Sequence, residues 1–432
     1  MKMNEDSKIS LIVTFVFSLL ALLVGLNDYL RSCIWEKCYQ PSFIHNLSIN
    51  WDGGWYNSII TNGYSFNGDF GSYSNIAFFP GAPLIGRLAF TISLGNPVVY
   101  LSLIILFNII LLFLTVRISL KILDLISDNK DAPTRLKLIL AFLITSIPSI
   151  LFWISPYSEP LLLFSLMYCY YFTIKKDYLK ASIFAGIASS AKSLGIIGLF
   201  MILVFIILDN YKAVISGKLN ISKAVLPKKI GKLVAIISLS LIGIIGFSAY
   251  QKVTINQPLG FVKIQGAWAR DSNSNIVRKS ARLFKSNIIN ILRPQLIPEG
   301  KIVKGVENES RFYKYVKLFY GFYNTVSPII MIFLFLYLVY KFRKEDSDIK
   351  PILTAFMASC LALAIPLSTG TFGSINRYSI LGMVLLFIFY IHYLSKHSPS
   401  RKTFLLLIVF IIANISIQSI FMSGFIASVF VG

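Results

Sequence analysis

Apolar runs long enough to cross a bilayer recur from one end of this chain to the other, and they limit it to folds whose surface mostly faces lipid. About 20 helical residues, rising roughly 1.5 Å each, span a hydrocarbon core roughly 30 Å thick. Runs of this kind lie at residues 9 to 27, 97 to 117, 138 to 155, 160 to 174, 232 to 250, 324 to 340, 351 to 367, 378 to 395 and 403 to 424. The run from 179 to 208 is too long for one span and carries Lys192 near its middle, so it divides into two short helices. The count is then about eleven spans. Composition agrees, since 56% of the residues are hydrophobic and 14% charged, against roughly 25% charged in soluble domains. The expectation is an all-α polytopic membrane protein, with residues 1 to 432 forming one transmembrane domain.

A net charge of +22 would suggest nucleic acid in a soluble chain. Here the basic residues gather in short loops between apolar runs, which is the positive-inside pattern and predicts no nucleic-acid partner. Lys2 and Lys8, then Lys121, Lys130, Arg135 and Lys137, then Lys175, Lys176 and Lys180 fall on one side of an eleven-helix chain. Lys212, Lys218, Lys223, Lys228 and Lys229, the group Lys341, Arg343, Lys344 and Lys350, and the group Lys396, Arg401 and Lys402 join them. That side is the cytosol. The first loop, residues 28 to 96, the long segment 251 to 322 and the short loop 368 to 377 then lie outside. Residues 78 to 95 are apolar, but Arg87 at mid-membrane would cost about 2.5 to 3.5 kcal/mol, so this stretch is expected as an interfacial or re-entrant helix on the outer face. Residues 9 to 27 lack a small-residue cleavage pattern and read as a retained first helix. No internal repeat stands out.

Chemistry concentrates in the first outer loop. Trp51-Asp52-Gly53-Gly54-Trp55-Tyr56 is followed by Ile59, Gly63 and Tyr64, then by Asn75-Ile76-Ala77-Phe78-Phe79-Pro80. Trp51, Trp55 and Ile59 recur at helical spacing, as suits a short helix in the headgroup layer. Asp52 at its start reads in two ways. It caps the helix, or it is a carboxylate held at the lipid surface as a general base.

The spacing of WDGGWY, GY and Phe-Phe-Pro resembles the first-loop signature of the GPI mannosyltransferase 2 (phosphatidylinositol-glycan class V) family and its prokaryotic relatives, glycosyltransferases of the multi-helical GT-C class. Three further elements fit in order: Pro156-Tyr157-Ser158-Glu159, Gln257-Pro258-Leu259 through Gln265-Gly266-Ala267-Trp268, and Arg377-Tyr378. The chain departs at Gly81-Ala82-Pro83, where many relatives continue Leu-Tyr-Pro. It also offers Lys192 where relatives often carry Arg, and Lys cannot reproduce a bidentate guanidinium clamp.

The resemblance implies a GT-C-type bundle and a mannosyltransferase that takes its sugar from a polyprenyl-phosphate donor and passes it to a glycolipid or glycan acceptor, with inversion. Asp52 would be the base, and cationic side chains would stabilise the departing phosphate. Arg377, expected in an outer loop at a helix mouth, is the preferred phosphate ligand, with Arg270 and Lys263 behind it. By itself such an Arg can equally snorkel to headgroups. Glu159, an acid entering an apolar span, marks a site or a structural pair, for which Lys192 is a candidate partner. Trp55, Tyr56, Tyr378 and Trp268 complete the substrate-binding set; Trp268 and Tyr64 can line a sugar site by stacking, although interfacial anchoring is the commoner role of such aromatics.

His45, His392 and His397 form no ligand spacing, and no Asp-X-Asp pair accompanies Asp52, so no metal or other cofactor is expected. Cys33 and Cys38 share the outer loop and can form a disulfide if that compartment is oxidising, whereas Cys169 and Cys360 read as packing residues. Asn46 and Asn308 head Asn-X-Ser matches of a kind that arises by chance. Expected location is a plasma membrane in a prokaryote or an endoplasmic reticulum membrane in a eukaryote, with the active site on the non-cytosolic face. Two rivals share the pattern: a lipid or solute transporter, and a GT-C enzyme moving another lipid-linked sugar. A transporter favours ionisable residues deep in the bundle and repeated halves, whereas polar signals here sit in outer loops.

Overall fold

Lipid cannot hydrogen-bond a backbone, so a chain this apolar must close its amides internally. In the computed structural model the described residues are 4–35, 42–127, 132–215, 226–268, 310–345, 348–368, 375–397 and 399–426, and their regular structure is entirely helical. In order come helices Glu5–Trp35, Phe43–Ile49, Asp52–Asn62, Gly81–Ile92, Pro97–Ile126, Thr134–Thr145, Glu159–Ile174, Tyr178–Ala191, Ile196–Ile215, Leu226–Ser240 and Ile242–Ile255. Two single turns, Gly260–Lys263 and Gln265–Trp268, precede Ser310–Lys344, Lys350–Ser368, Ile375–His397 and Arg401–Ile426.

Among the described residues six helical stretches are long and apolar enough to cross a membrane: Glu5–Leu30, Pro97–Ile126, Ser193–Asn210, Leu318–Lys344, Ile375–His397 and Arg401–Ile426. Ile230–Ser240 and Ile242–Ile255, bent by 61° at their junction, add a seventh if they form one span. The protein is a multi-pass helical membrane protein. The expected spans at 160 to 174 and 351 to 367 appear as the shorter apolar helices Glu159–Ile174 and Lys350–Pro366. The expected span from 138 to 155 is not one helix. Thr134–Thr145 ends, and a 3₁₀ segment, Pro148–Ile154, follows. Pro148 is the reason: the residue before a proline is driven out of the α region, and Ile147 has φ −54° and ψ 122°. The division of 179 to 208 falls at Lys192, whose backbone is extended between Tyr178–Ala191 and Ile196–Ile215.

One apolar core runs from Ile9 to Ile426. Ile375–His397 lies at its centre, with 78% of its most apolar window buried against 28% for Arg401–Ile426. The polar contacts between distant segments sort by end. Lys137 holds Asp6 (2.9 Å) and Asp124 (2.8 Å). Asp209 holds Lys176 and Lys350, both at 2.7 Å. Glu345 meets His397 at 2.9 Å. Each of these pairs joins segments that the positive-inside pattern assigns to the basic side. Ser423 with Asp28, and Asn50 Nδ2 with the Phe425 carbonyl (2.9 Å), join segments of the opposite side.

The first loop is built on close helix contacts. At Gly53 a Cβ would lie 2.2 Å from the Ser48 carbonyl oxygen, so only glycine lets Asp52–Asn62 turn back against Phe43–Ile49. Asn75 ties the loop together, accepting from Ser65 N (2.8 Å) and donating to the Gly63 carbonyl (3.1 Å). Within the stretch 78 to 95 the helix Gly81–Ile92 forms, with Leu84, Leu88 and Ile92 exposed along one side. Arg87 Nη1 donates to the carbonyls of Ile60 (2.6 Å) and Thr61 (2.8 Å), the unsatisfied C-terminal end of Asp52–Asn62. Beneath it, Gln251 donates to the Ile76 carbonyl and accepts from Phe261 N, pinning this loop to the segment after Ile242–Ile255.

Candidate functional site: a four-residue charge network

Four ionisable side chains from distant segments converge on one point. Asp52 is the first residue of Asp52–Asn62, and Glu159 the first of Glu159–Ile174. Lys192 occupies the break before Ile196–Ile215, and Arg377 lies in the first turn of Ile375–His397. Arg377 Nη1 donates to Asp52 Oδ2 at 2.8 Å. Its Nε (3.0 Å) and Nη2 (2.5 Å) both donate to Glu159 Oε1, and Lys192 Nζ donates to the same oxygen at 2.8 Å. Two acids and two bases leave the network formally neutral.

Burial explains why the four belong together. The side chains of Arg377 and Glu159 are each 5% exposed, whereas Lys192 is 19% and Asp52 28% exposed. A lone charge at such depth costs several kcal/mol of desolvation, offset only by opposite charge and hydrogen bonds. The Arg377 guanidinium carbon also lies 4.8 Å from the Phe152 ring centroid and 5.1 Å from that of Tyr157. The start of its helix is held from outside by Asn324, whose Oδ1 accepts from Asn376 N at 2.9 Å, and from within by Asn376, whose Oδ1 accepts from Arg377 N at 2.7 Å. Among the described residues nothing bonds Glu159 Oε2.

Asp52 does not cap its helix. Trp51 is the N-cap residue, without a side-chain cap bond, and has φ 54°. A non-glycine residue held there stores roughly 1–3 kcal/mol of backbone strain, which the surrounding contacts must sustain. The carboxylate is thereby carried to Arg377, at the end of the helix where the macrodipole favours negative charge. Tyr56, one turn on, donates to Ser158 Oγ at 2.6 Å. Burial, with the Glu159 charge adding to it, pushes the Tyr56 phenol well above its usual pKa and keeps it a donor.

Two expectations for Arg377 need correction. It is neither in a loop nor at an open mouth; packing encloses the first turn of its helix, so the guanidinium serves two carboxylates instead of snorkelling. The Glu159–Lys192 pair forms as expected. Tyr378 joins the network, its ring 4.7 Å below Lys192 Nζ. Trp55 stacks on Phe78 at 6.2 Å. Tyr64 donates to the Phe78 carbonyl and packs on Phe247, so it supports the loop. Lys263 is not brought in: its Nζ donates to Gln257 and lies over Phe70. Arg270, Cys38, Asn308 and the side chains of Trp268 and Cys33 lie outside the described residues. Asn46 is buried, with its amide oxygen toward Asn50. Sequence reasoning missed Phe152 and Asn324; an aromatic and an amide inside apolar stretches carry no signal of what they will touch.

Chemically, the arrangement offers a partly exposed carboxylate, fixed by a cation at one oxygen, and a second, more accessible cation joined to it through Arg377 and Glu159. Such a pair can accept a proton from a hydroxyl and receive an anion.

No protein-family model matches the sequence, and no curated protein matches it. Among solved structures, the Archaeoglobus fulgidus oligosaccharyltransferase in the apo form aligns over 97% of this chain and 56% of its own, at 14% identity and TM-score 0.46. The same organism's archaeal oligosaccharyltransferase AglB, in complex with an inhibitory peptide and a dolichol-phosphate, aligns over the same shares at 14% identity and TM-score 0.42. Its complex with Zn and sulfate covers 96% and 53% at 13% identity and TM-score 0.46. This chain thus spans a little over half the length of those proteins. Likeness at this level carries no argument about chemistry.

Proposed function

We propose that this protein is a GT-C-type membrane glycosyltransferase that transfers mannose from a polyprenyl-phosphate donor to a lipid or glycan acceptor on the non-cytosolic face, with Asp52 as general base. The observation that carries this reading is the convergence of Asp52, Glu159, Lys192 and Arg377. Three of the four elements that resemble the GPI mannosyltransferase 2 family, WDGGWY, PYSE and Arg-Tyr, meet in this one network.

The reaction fits the charges. Asp52 removes the proton from the acceptor hydroxyl as its oxygen bonds to the anomeric carbon. The bond from that carbon to the phosphate oxygen breaks, and the lipid phosphate leaves with the electron pair, so no general acid is needed. Cationic side chains offset the charge that grows on the leaving group, where a low dielectric strengthens their effect. Attack from the face opposite the leaving group inverts the sugar. Nucleotide sugars are made in the cytosol, so an outward-facing enzyme needs a lipid-linked donor, and the positive-inside pattern assigns the basic loops to the cytosol and the first loop, which carries Asp52, to the outside.

The test is sugar transfer in purified membranes supplied with polyprenyl-phosphate-mannose and total lipid extract, comparing the intact protein with Asp52→Asn at matched expression. Asp52-dependent labelling of a lipid or glycan is the expected result. Equal transfer by both removes Asp52 as the base, and transfer only from another lipid-linked sugar replaces mannose.

A further inference from the structure

We infer that the two cations of the network divide the work: Lys192 receives the donor's lipid phosphate, while Arg377 is a positioning residue that holds the Asp52 carboxylate for proton abstraction. This inference rests on the transferase reading and assigns roles within the same site.

Arg377 is already committed. Three of its N–H groups point at carboxylate oxygens, at 2.8 Å, 3.0 Å and 2.5 Å, and its side chain is 5% exposed. Phe152 and Tyr157 pack against its guanidinium. Turning this fork to a phosphate would strand a buried carboxylate, and an unpaired buried charge is among the costliest outcomes in a protein. What the fork does instead is orient. It binds Asp52 through Oδ2, and among the described residues nothing bonds Oδ1, so one oxygen of a partly exposed carboxylate is left to accept a proton. Glu159, behind the fork, fixes the guanidinium through two of its nitrogens.

Lys192 is differently placed. Its side chain is nearly four times as exposed, at 19% against 5%. Among the described residues one carboxylate oxygen engages it, and an ammonium has three donors, so two remain to be used. Tyr378 beneath the ammonium steadies it without consuming a donor. A lysine is a compact point charge that needs no fork geometry, so it binds a phosphate without the bidentate clamp that Arg provides. Glu159 then serves both cations through Oε1: it anchors the orienting one and holds the receiving one.

The experiment measures binding and turnover separately on the solubilised full-length chain. Polyprenyl phosphate without sugar is titrated while thermal unfolding is followed, and transfer from polyprenyl-phosphate-mannose is assayed in parallel. Lys192→Gln is expected to raise the apparent Kd for the lipid phosphate about tenfold or more. Arg377→Lys is expected to keep phosphate-dependent stabilisation but to lower kcat about a hundredfold, as a displaced catalytic group does. The inference is overturned if Lys192→Gln binds the lipid phosphate as the unchanged protein does, or if Arg377→Lys loses that binding. Should Arg377→Lys not survive solubilisation, the Lys192→Gln titration decides. Loss of the transferase reading is distinguishable, because it shows as absence of Asp52-dependent transfer whatever the phosphate titration gives.

Discussion

At the scale of single residues, the decisive fact is that Glu159 serves two cations with one oxygen. Removing its charge leaves Arg377 with only Asp52 as an anionic partner and Lys192 with none among the described residues. Glu159→Gln is therefore expected to destabilise the protein by about 3–5 kcal/mol, the usual result of breaking a buried ion pair from one side. A lowered thermal unfolding midpoint in detergent, at unchanged insertion, would register it; an unchanged midpoint would mean that water or lipid reaches this network and screens it. Gly53 gives a second residue-scale expectation. A methyl group there meets the Ser48 carbonyl at 2.2 Å, so Gly53→Ala is expected to cost about 1–3 kcal/mol and to abolish transfer by displacing Asp52. Full transfer by Gly53→Ala would show that the contact between the two short helices yields freely.

At the scale of elements, the site depends on where helices stop. Pro148 ends regular α structure and opens the turn that presents Phe152 and Tyr157 to Arg377. The break at Lys192 points that side chain at Glu159 instead of burying it in an unbroken span. The close approach of the flanking helices requires Gly195, where a Cβ would lie 2.1 Å from the Ala188 carbonyl carbon. Arg87 acts at a third helix end, donating to the carbonyls of Ile60 and Thr61. Arg87→Leu removes that cap and is expected to destabilise by about 1–2 kcal/mol. Because the capped helix begins with Asp52, kcat for sugar transfer is expected to fall as well, which the transfer assay would read directly. The break at Lys192 was legible in the sequence because a charge within an apolar run admits few placements. The 3₁₀ segment was not, since hydropathy outweighed a single proline in the reading of residues 138 to 155.

For the whole molecule, the side-sorted contacts yield a topology test. With the four native cysteines replaced by alanine, a membrane-impermeant thiol reagent applied to intact cells is expected to label Asn67→Cys, in the loop that carries the site, and to spare Lys344→Cys. Reversed labelling would place the network on the cytosolic face and end the argument for a lipid-linked donor. The sequence alone determined the class of solvent, the helical character of the chain, the grouping of its basic loops and the first-loop motif, because each follows from local composition and short spacing. It also suggested Glu159 with Lys192, since an acid and a base within apolar runs need each other. Only the tertiary structure decided that Arg377 is enclosed, that it bonds Asp52, and that Lys192 is the more accessible cation. The physical reason is distance along the chain: Asp52 and Arg377, or Asn324 and Asn376, are joined by packing between helices that share no local pattern, and burial is a property of that packing.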